Sequence, residues 1–374
     1  MLLFRAIALH RSVSARSIRC TSAFYFHTSR SRFRSAAVVS HQEKSTGRAN
    51  LNVIDFFDPA LSTTPHHYTF QAGSSGYAKA GKKDLLSPQE DAIYSSIQVG
   101  DDAYFKRPEA LGVADGVGGW RSHTGANPAL YSRKLMHYAQ LELERIKTNQ
   151  RPAHVRHDES DPVLVLENAY HLTTLDAQNE GIVGSTTACI VILCEDELRI
   201  ANLGDCGVSV IRRDDYVFRS EEQQHSFNFP YQLGTASFDS PSDAQQFTIK
   251  VEEGDIVILA SDGLFDNLYD DEILEEVQQC IQENKDRVTG DESSSADESG
   301  SDPSTAVPQV ISDALAHRAK CVSEDPTNPS SPFQVRAMHE GLYYQGGKAD
   351  DISVLVAIVN RVERPPEYTP PPLP

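Results

Sequence analysis

The sequence predicts an α+β fold in which antiparallel strands form the core and helices cover them. Apolar runs of strand length meet at tight turns of Asp, Glu and Gly, which is the grammar of hairpins. Between them lie segments with helix-start residues and apolar side chains three or four positions apart. A third observation points to chemistry. Three apolar runs carry acids at one end: Asp115-Gly116 after Leu111–Ala114, Asp262-Gly263 after Ile256–Ala260, and Asp350-Asp351 before Ile352–Val359. One such Asp-Gly is ordinarily the turn that stops a strand; its recurrence asks for another reason. The length of 374 residues fits two domains or one large sandwich domain.

Composition is that of a globular chain, with 39% apolar residues, and formal net charge is −19. The charge is unevenly spread. Residues 1–48 hold eight Arg and Lys44 against the single acid Glu43 and so carry +8; the remainder carries −27, the difference from the whole-chain −19. So acidic a body is repelled by a phosphate backbone, which argues against nucleic acid as a partner. The six cysteines form no C-x-x-C pair and no metal-finger spacing, as expected of a reducing compartment without disulfides or zinc. The Arg- and Ser-rich segment 1–48 mixes apolar residues with Arg5, Arg11, Arg16 and Arg19, and Arg5 interrupts what would be a secretory apolar core. It is expected to be a mitochondrial transit peptide, removed on import. No later run approaches ~18 consecutive apolar residues, so no transmembrane segment is expected.

Taken in order, His67–Gln71 reads as a first strand before a Gly/Ser loop. Lys79, Lys82 and Lys83 follow, then Glu90-Asp91 at the head of a strand-like run, Ala92–Ile97. Such an acid pair alone is usually a solvated turn. Asn127 and Pro128 cap and start a helix whose inner face is Met136, Ala139, Leu143 and Ile146. Asp161 and Pro162 start a second, with Val165, Ala169 and Leu172 inward. Gly184–Leu193 and Leu198–Asp205 form a hairpin, and Val208–Arg213 with Tyr216–Arg219 another. A helix is expected over Asp271–Glu283 and another around Val310–Ala319. Between them, residues 284–304 are acidic and Ser-rich, unable to bury enough apolar area to order themselves. The tail 362–374 is Pro-rich and expected to be extended or disordered.

Acids at matching ends of neighbouring strands would converge. Like charges a few ångströms apart raise one another's pKa and need cations to be stable. Oxygen ligands without His or Cys select Mg²⁺ or Mn²⁺ over zinc. Two such ions roughly 3.5–4 Å apart activate a water and clamp a phosphoryl group. Spacing alone therefore suggests a metal-dependent hydrolase, with phosphoryl transfer one candidate.

The ordered set Glu90-Asp91-Ala92, Asp115-Gly116-Val117-Gly118-Gly119, Gly184-Ser-Thr-Thr-Ala188, Ala201-Asn-Leu-Gly-Asp205, Ser261-Asp-Gly-Leu-Phe-Asp266 and Asp350-Asp351 resembles the type 2C metal-dependent Ser/Thr protein phosphatases over about residues 67–361. Gly-Val-Gly-Gly-Trp-Arg121 and Glu221-Glu-Gln-Gln-His225 look closest to that family's mitochondrial branch. The resemblance implies a four-layer α-β-β-α sandwich of two central antiparallel sheets flanked by helices. It implies two Mg²⁺ or Mn²⁺ ions bridged by Asp115, with the Gly116 carbonyl, Asp262 and Asp350 as further ligands and Glu90 and Asp91 holding waters at the second ion. Catalysis would then rest on Asp115, Asp262, Asp350 and Glu90, with water attacking phosphorus directly. Asn202 and Asp205 are read as buttressing the sheet.

Two positions depart from the family pattern. Many members carry His after the Asp-Gly as a candidate proton donor; here it is Val117. The Arg that often grips the substrate phosphate is replaced by Leu86, leaving Lys82, Lys83 and Arg121 as candidates. The resemblance implies phosphoprotein substrates in the mitochondrial matrix, coenzyme Q biosynthesis enzymes among them. The competing readings are an inactive scaffold, which the complete acid set disfavours, and a Ca²⁺-binding module, for which no Asp-x-Asp-x-Asp-Gly loop is present.

Overall fold

The computed structural model describes residues 67–81, 93–120, 122–149, 161–290, 303–327 and 330–362. The segment 1–48, Lys82, Lys83, Glu90, Asp91, Arg121 and the tail from residue 363 lie outside the described residues. Along the chain come β1 (Tyr68–Tyr77), β2 (Ile97–Val99), β3 (Asp102–Lys106), β4 (Ala110–Ala114), α1 (Pro128–Asn149) and α2 (Pro162–Glu180). Then follow β5 (Ser185–Thr186), β6 (Ala188–Cys194), β7 (Glu197–Leu203), β8 (Gly207–Arg212) and β9 (Asp215–Arg219). The short strands β10 (Gln224–Ser226), β11 (Phe229–Pro230) and β12 (Leu233–Gly234) lead to β13 (Gln245–Lys250) and β14 (Ile256–Ala260). The chain closes with α3 (Asp262–Phe265), α4 (Asp270–Gly290), α5 (Pro303–Ser323), α6 (Pro332–His339) and β15 (Ile352–Arg361).

Two sheets carry the fold, one ordered β13-β7-β6-β4-β3-β2 and the other β1-β15-β14-β8-β9. Every pairing within them is antiparallel. Alternation along the strands sorts the apolar residues into three layers. Leu111, Val113, Val191 and Ile200 of the first sheet meet Val208, Val257, Leu259 and Leu355 of the second in one buried cluster. The opposite face of the first sheet packs Ala103, Phe105 and Ile190 on Leu135 and Met136 of α1 and Val165 of α2. The second sheet packs Ile258, Val354 and Val356 on Ile273 and Val277 of α4 and Ile311 and Leu315 of α5. The result is the expected α-β-β-α sandwich.

Helix starts follow the sequence. The Asn127 side chain accepts from the Leu130 amide at 3.0 Å, and Asp161 Oδ1 accepts from the Val163 amide at 2.8 Å. Four expectations change. Strand β1 continues through Gly73-Ser74-Ser75-Gly76, paired with Ser353–Val356, where a Gly/Ser loop is expected. The glycine there admits a helix rather than a turn: Gln309 of α5 lies on Gly73 and exchanges hydrogen bonds with the Ser74 backbone at 3.2 and 2.9 Å. Ile93–Ser96 is outside any strand, and pairing begins only at Ile97. Leu172 is 41% exposed because the buried stripe of α2 runs Val165, Ala169, Thr173, Ala177, in steps of four. Finally, α4 extends to Gly290 and α5 begins at Pro303, so both ends of the acidic segment 284–304 are helical; residues 291–302 lie outside the described residues.

A Cβ on Gly73 would overlap the backbone nitrogen of Gln309. Gly73→Ala is therefore expected to cost about 1–3 kcal/mol through forced separation of α5 from the sheet. Thermal unfolding checks it; an unchanged midpoint would mean that α5 does not depend on this contact.

Candidate functional site

The acids sit where the strands end, and antiparallel register puts those ends together. Val113 pairs with Cys189 and Ala188 with Leu203, so β4, the start of β6 and the end of β7 share one edge of the first sheet. Ala260 pairs with Val354 and Gly207, so the end of β14 and the starts of β15 and β8 share one edge of the second. Asp115 follows β4, Asp205 lies on the link from β7 to β8 that crosses between the sheets, Asp262 follows β14 and opens α3, and Asp350 precedes β15. The crossing turns at Gly204, whose φ of +106° would strain any other residue.

Asp115, Asp205 and Asp262 each offer a carboxylate oxygen, and the three lie within 4.8 Å of one another. They line a cavity of about 670 Å³ shared with Asp101, Gly116 and Asp350. Asp115 is held by the Ser-Thr-Thr stretch. Its carbonyl accepts from the Thr186 hydroxyl at 2.8 Å and the Thr187 amide at 2.9 Å, and its own amide donates to Thr187 Oγ1 at 3.2 Å. Gly116 is required by close approach: its amide donates to the Asp101 carbonyl at 3.1 Å, and a Cβ there would overlap that oxygen. Beyond it the Val117 amide donates to the Ser185 carbonyl at 2.9 Å, and Trp120 Nε1 donates to Ser185 Oγ at 2.6 Å. The glycine loop is thus tied to β5 at both ends.

Electrostatics sets the character of the cavity. Burial pushes the Asp115 carboxyl well above the usual range, and repulsion from Asp262, Asp102 and Asp350 adds to it. Asp205 is raised by burial and by Asp262, with Lys348 opposing. Asp262 is raised by burial, again opposed by Lys348. Oδ1 of Asp205 and Oδ1 of Asp262 are buried with no hydrogen-bond partner. Protons or cations must therefore share these oxygens, and an all-oxygen donor set suits hard dications. The residues present fit Mg²⁺ or Mn²⁺.

The structure redistributes several roles read from sequence. Asp205, expected to buttress the sheet, is one of the three converging acids. Asp350 stays on the cavity but is engaged by cations, 3.6 Å from Lys79 Nζ and 3.3 Å from Lys348 Nζ. Its neighbour Asp351 is buried and staples the fold, accepting from the Lys79 amide at 2.7 Å and the Asp101 amide at 2.9 Å. Among the described residues, the adjacent acids brought to the site are Asp101, on the cavity, and Asp102, fully buried. Burial, then repulsion from Asp351 and Asp262, lifts the Asp102 carboxyl. An acid pair opening a strand just before Leu111–Asp115 was the available signal, and Glu90-Asp91 carries the same one.

Lys348 was not singled out from sequence. Its Nζ reaches Asp262, Asp266 at 2.5 Å and Asp350; burial works against its charge, but the carboxylates hold it well above the ordinary lysine range. Arg336 pairs with Asp266 and, at 2.8 Å, with Glu222. Of the phosphate-binding candidates, Lys82, Lys83 and Arg121 lie outside the described residues; the cations lining the cavity among the described residues are Lys79 and Lys348. Val117 lines the cavity without a proton to give, and His123 of the same loop lines it too.

Comparison with known proteins places this architecture. Residues 147–328 match the family model of Stage II sporulation protein E (SpoIIE). The chain is 36% identical over 311 residues to a protein phosphatase PTC7 homolog of Danio rerio, covering 79% of this chain and 91% of that protein. It is 38% identical over 263 residues to "Probable protein phosphatase 2C 80" of Arabidopsis thaliana, covering 70% of this chain and 54% of the relative. The chain thus spans about half the length of that relative and, at 48%, of a second Arabidopsis protein phosphatase 2C. The X-ray structure of the photosystem II phosphatase PBCP superposes with a TM-score of 0.57 at 30% identity, covering 78% of this chain and 99% of that one. The sandwich of two antiparallel sheets flanked by helices is shared with that phosphatase structure. The chain belongs to the type 2C family of metal-dependent Ser/Thr protein phosphatases.

Proposed function

We propose that this chain hydrolyses phosphoserine and phosphothreonine in protein substrates at a centre of two Mg²⁺ or Mn²⁺ ions. The observation that carries the reading is the convergence of Asp115, Asp205 and Asp262 on one cavity, with buried oxygens that no protein donor satisfies. Asp115, the Gly116 carbonyl, Asp262 and Asp350 would hold the ions, with Asp205 and Asp101 beside them. Glu90 and Asp91 are retained as candidates for holding water at the second ion. Bound there, the ions would lower the pKa of an attacking water and draw charge from the phosphoryl oxygens.

The remaining work falls to the chain. The hydrogen bonds with Thr186 and Thr187 fix the Asp115 backbone, so the point from which its carboxylate extends need not move when substrate arrives. Lys79, together with Lys82, Lys83 and Arg121, would attract and orient the phosphate. Trp120, held by Ser185, and Phe229 wall the cavity, where they would cover the peptide beside the phosphorylated side chain. The leaving alkoxide would take its proton from a source other than Val117, and His123 is placed on the cavity for it.

The cationic segment 1–48 supports delivery to mitochondria; the family resemblance suggests the matrix as the compartment and matrix enzymes, those of coenzyme Q biosynthesis included, as substrates. No helix among the described residues is long and apolar enough to cross a membrane. Purified protein is expected to release phosphate from a phosphothreonine peptide with Mn²⁺ or Mg²⁺ and to stop in EDTA. Absence of phosphate release with either ion would refute the reading. For the compartment, a fluorescent fusion should lose mitochondrial targeting when residues 1–48 are deleted.

A further inference from the structure

The cavity contains a cation of its own. Lys348 is pinned at both ends of its structure. Its amide donates to Asn267 Oδ1 at 2.9 Å, and its carbonyl accepts from Asn267 Nδ2 at 3.0 Å. The preceding Gly347 donates to the Asp325 carbonyl at 3.1 Å and lies so close to Val322 that a Cβ would overlap its carbonyl. The ammonium stands 5.0 Å from the Phe333 ring centroid and reaches Asp262 Oδ2, Asp266 Oδ2 and Asp350 Oδ2. Holding a lysine this firmly costs side-chain entropy that a solvated surface pair does not recover.

The pairing divides the cluster in two. Around Asp266, negative charge is already met by protein cations: Lys348 takes Asp262 Oδ2 and Asp266 Oδ2, and Arg336 takes Asp266 Oδ1 and Glu222. Asp262 Oδ1 and Asp205 Oδ1, by contrast, have no partner, and both residues converge with Asp115. A dication brought between Asp262 and Asp266 would have to displace or face an ammonium held in a poorly screened, buried setting.

We propose that Lys348 is a resident cation and positioning residue of this site. By engaging one oxygen of Asp262 it leaves the other free for the metal centre, and it denies the Asp262–Asp266 side to an additional divalent ion. The inference rests on the two-ion reading above. It differs in what it predicts, which is the number of ions bound.

Equilibrium dialysis of the full chain against Mn²⁺, with metal analysis, tests it. Lys348→Met is expected to bind one more Mn²⁺ per chain than wild type, Lys348→Arg the wild-type number, and Asp266→Asn added to Lys348→Met should remove the extra ion. A folded Lys348→Met protein with the wild-type count or fewer overturns the proposal while leaving the two-ion reading standing. Wild type that binds no Mn²⁺ sinks both. A second measurement needs only wild type: acetic anhydride labelling with mass spectrometry should find Lys348 protected with and without Mn²⁺. Labelling that rises when Mn²⁺ is added would show the lysine to be expelled by the ion, which is equally fatal to the idea.

Discussion

Asp115→Asn is expected to abolish most turnover, on the order of 10³-fold in kcat or about 4 kcal/mol of lost transition-state stabilisation, while leaving the fold intact. Asn has the same shape, and the Thr186 and Thr187 bonds that hold the position are to backbone atoms, so geometry is preserved. What disappears is the charge at the point where three acids converge. The same loss has a second consequence. Burial and the charges of Asp262, Asp102 and Asp350 disfavour an ionised Asp115 in the metal-free protein, so the neutral variant should melt at a higher temperature than wild type in EDTA. Activity down with metal-free stability up is the signature of a residue retained for function. Turnover equal to wild type would sink the mechanism; a lower metal-free melting point would mean that its charge is not the source of strain.

The second large effect concerns pH. In the metal-free protein the carboxyls of Asp102, Asp115 and Asp205 lie well above their ordinary range, chiefly through burial. Above about pH 4, where an unfolded Asp has lost its proton, the folded chain therefore holds more protons than the unfolded one. Stability from this source is present at low pH and is lost as pH rises through the raised values. A dication removes the penalty by neutralising the ionised acids, and it binds more tightly as they lose their protons. The stabilisation by Mn²⁺ should consequently grow from pH 5.5 to pH 7.5. At a hundredfold excess over its dissociation constant an ion adds about 2.7 kcal/mol, several degrees in a chain of this size. Melting curves in EDTA and in MnCl₂ at the two pH values provide the check, and a Mn²⁺ shift larger at the lower pH would contradict it.

These expectations draw unequally on sequence and structure. Asp115, Asp262 and Asp350 were legible as acids at strand ends because each flanks an apolar run, where a local pattern marks both the strand and the acid that follows or precedes it. The helix starts at Asn127 and Asp161 were legible for the same reason, since a cap and its first turn are neighbours in sequence. Gly73 misled because a glycine reads alike whether it frees a turn or makes room for α5. Leu172 misled because spacings of three and four both suit a helix, and only the packed neighbours decide between residues 172 and 173. The short strands β10 to β12 and helix α6 were not anticipated; their segments are too brief to show a period.

By itself, then, the sequence determined the class of fold, the supply of acids at strand ends and the cationic segment at the start of the chain. Tertiary structure decided which acids meet. Asp205 joins Asp115 and Asp262 because the β7–β8 link crosses from one sheet to the other at that edge. Asp351 turns inward as a staple while Asp350 faces the cavity, and Lys348 arrives among carboxylates up to 86 residues away in sequence. Charge coupling falls with distance in space, and distance in space between remote segments is set by register and sheet crossing, which no local pattern records.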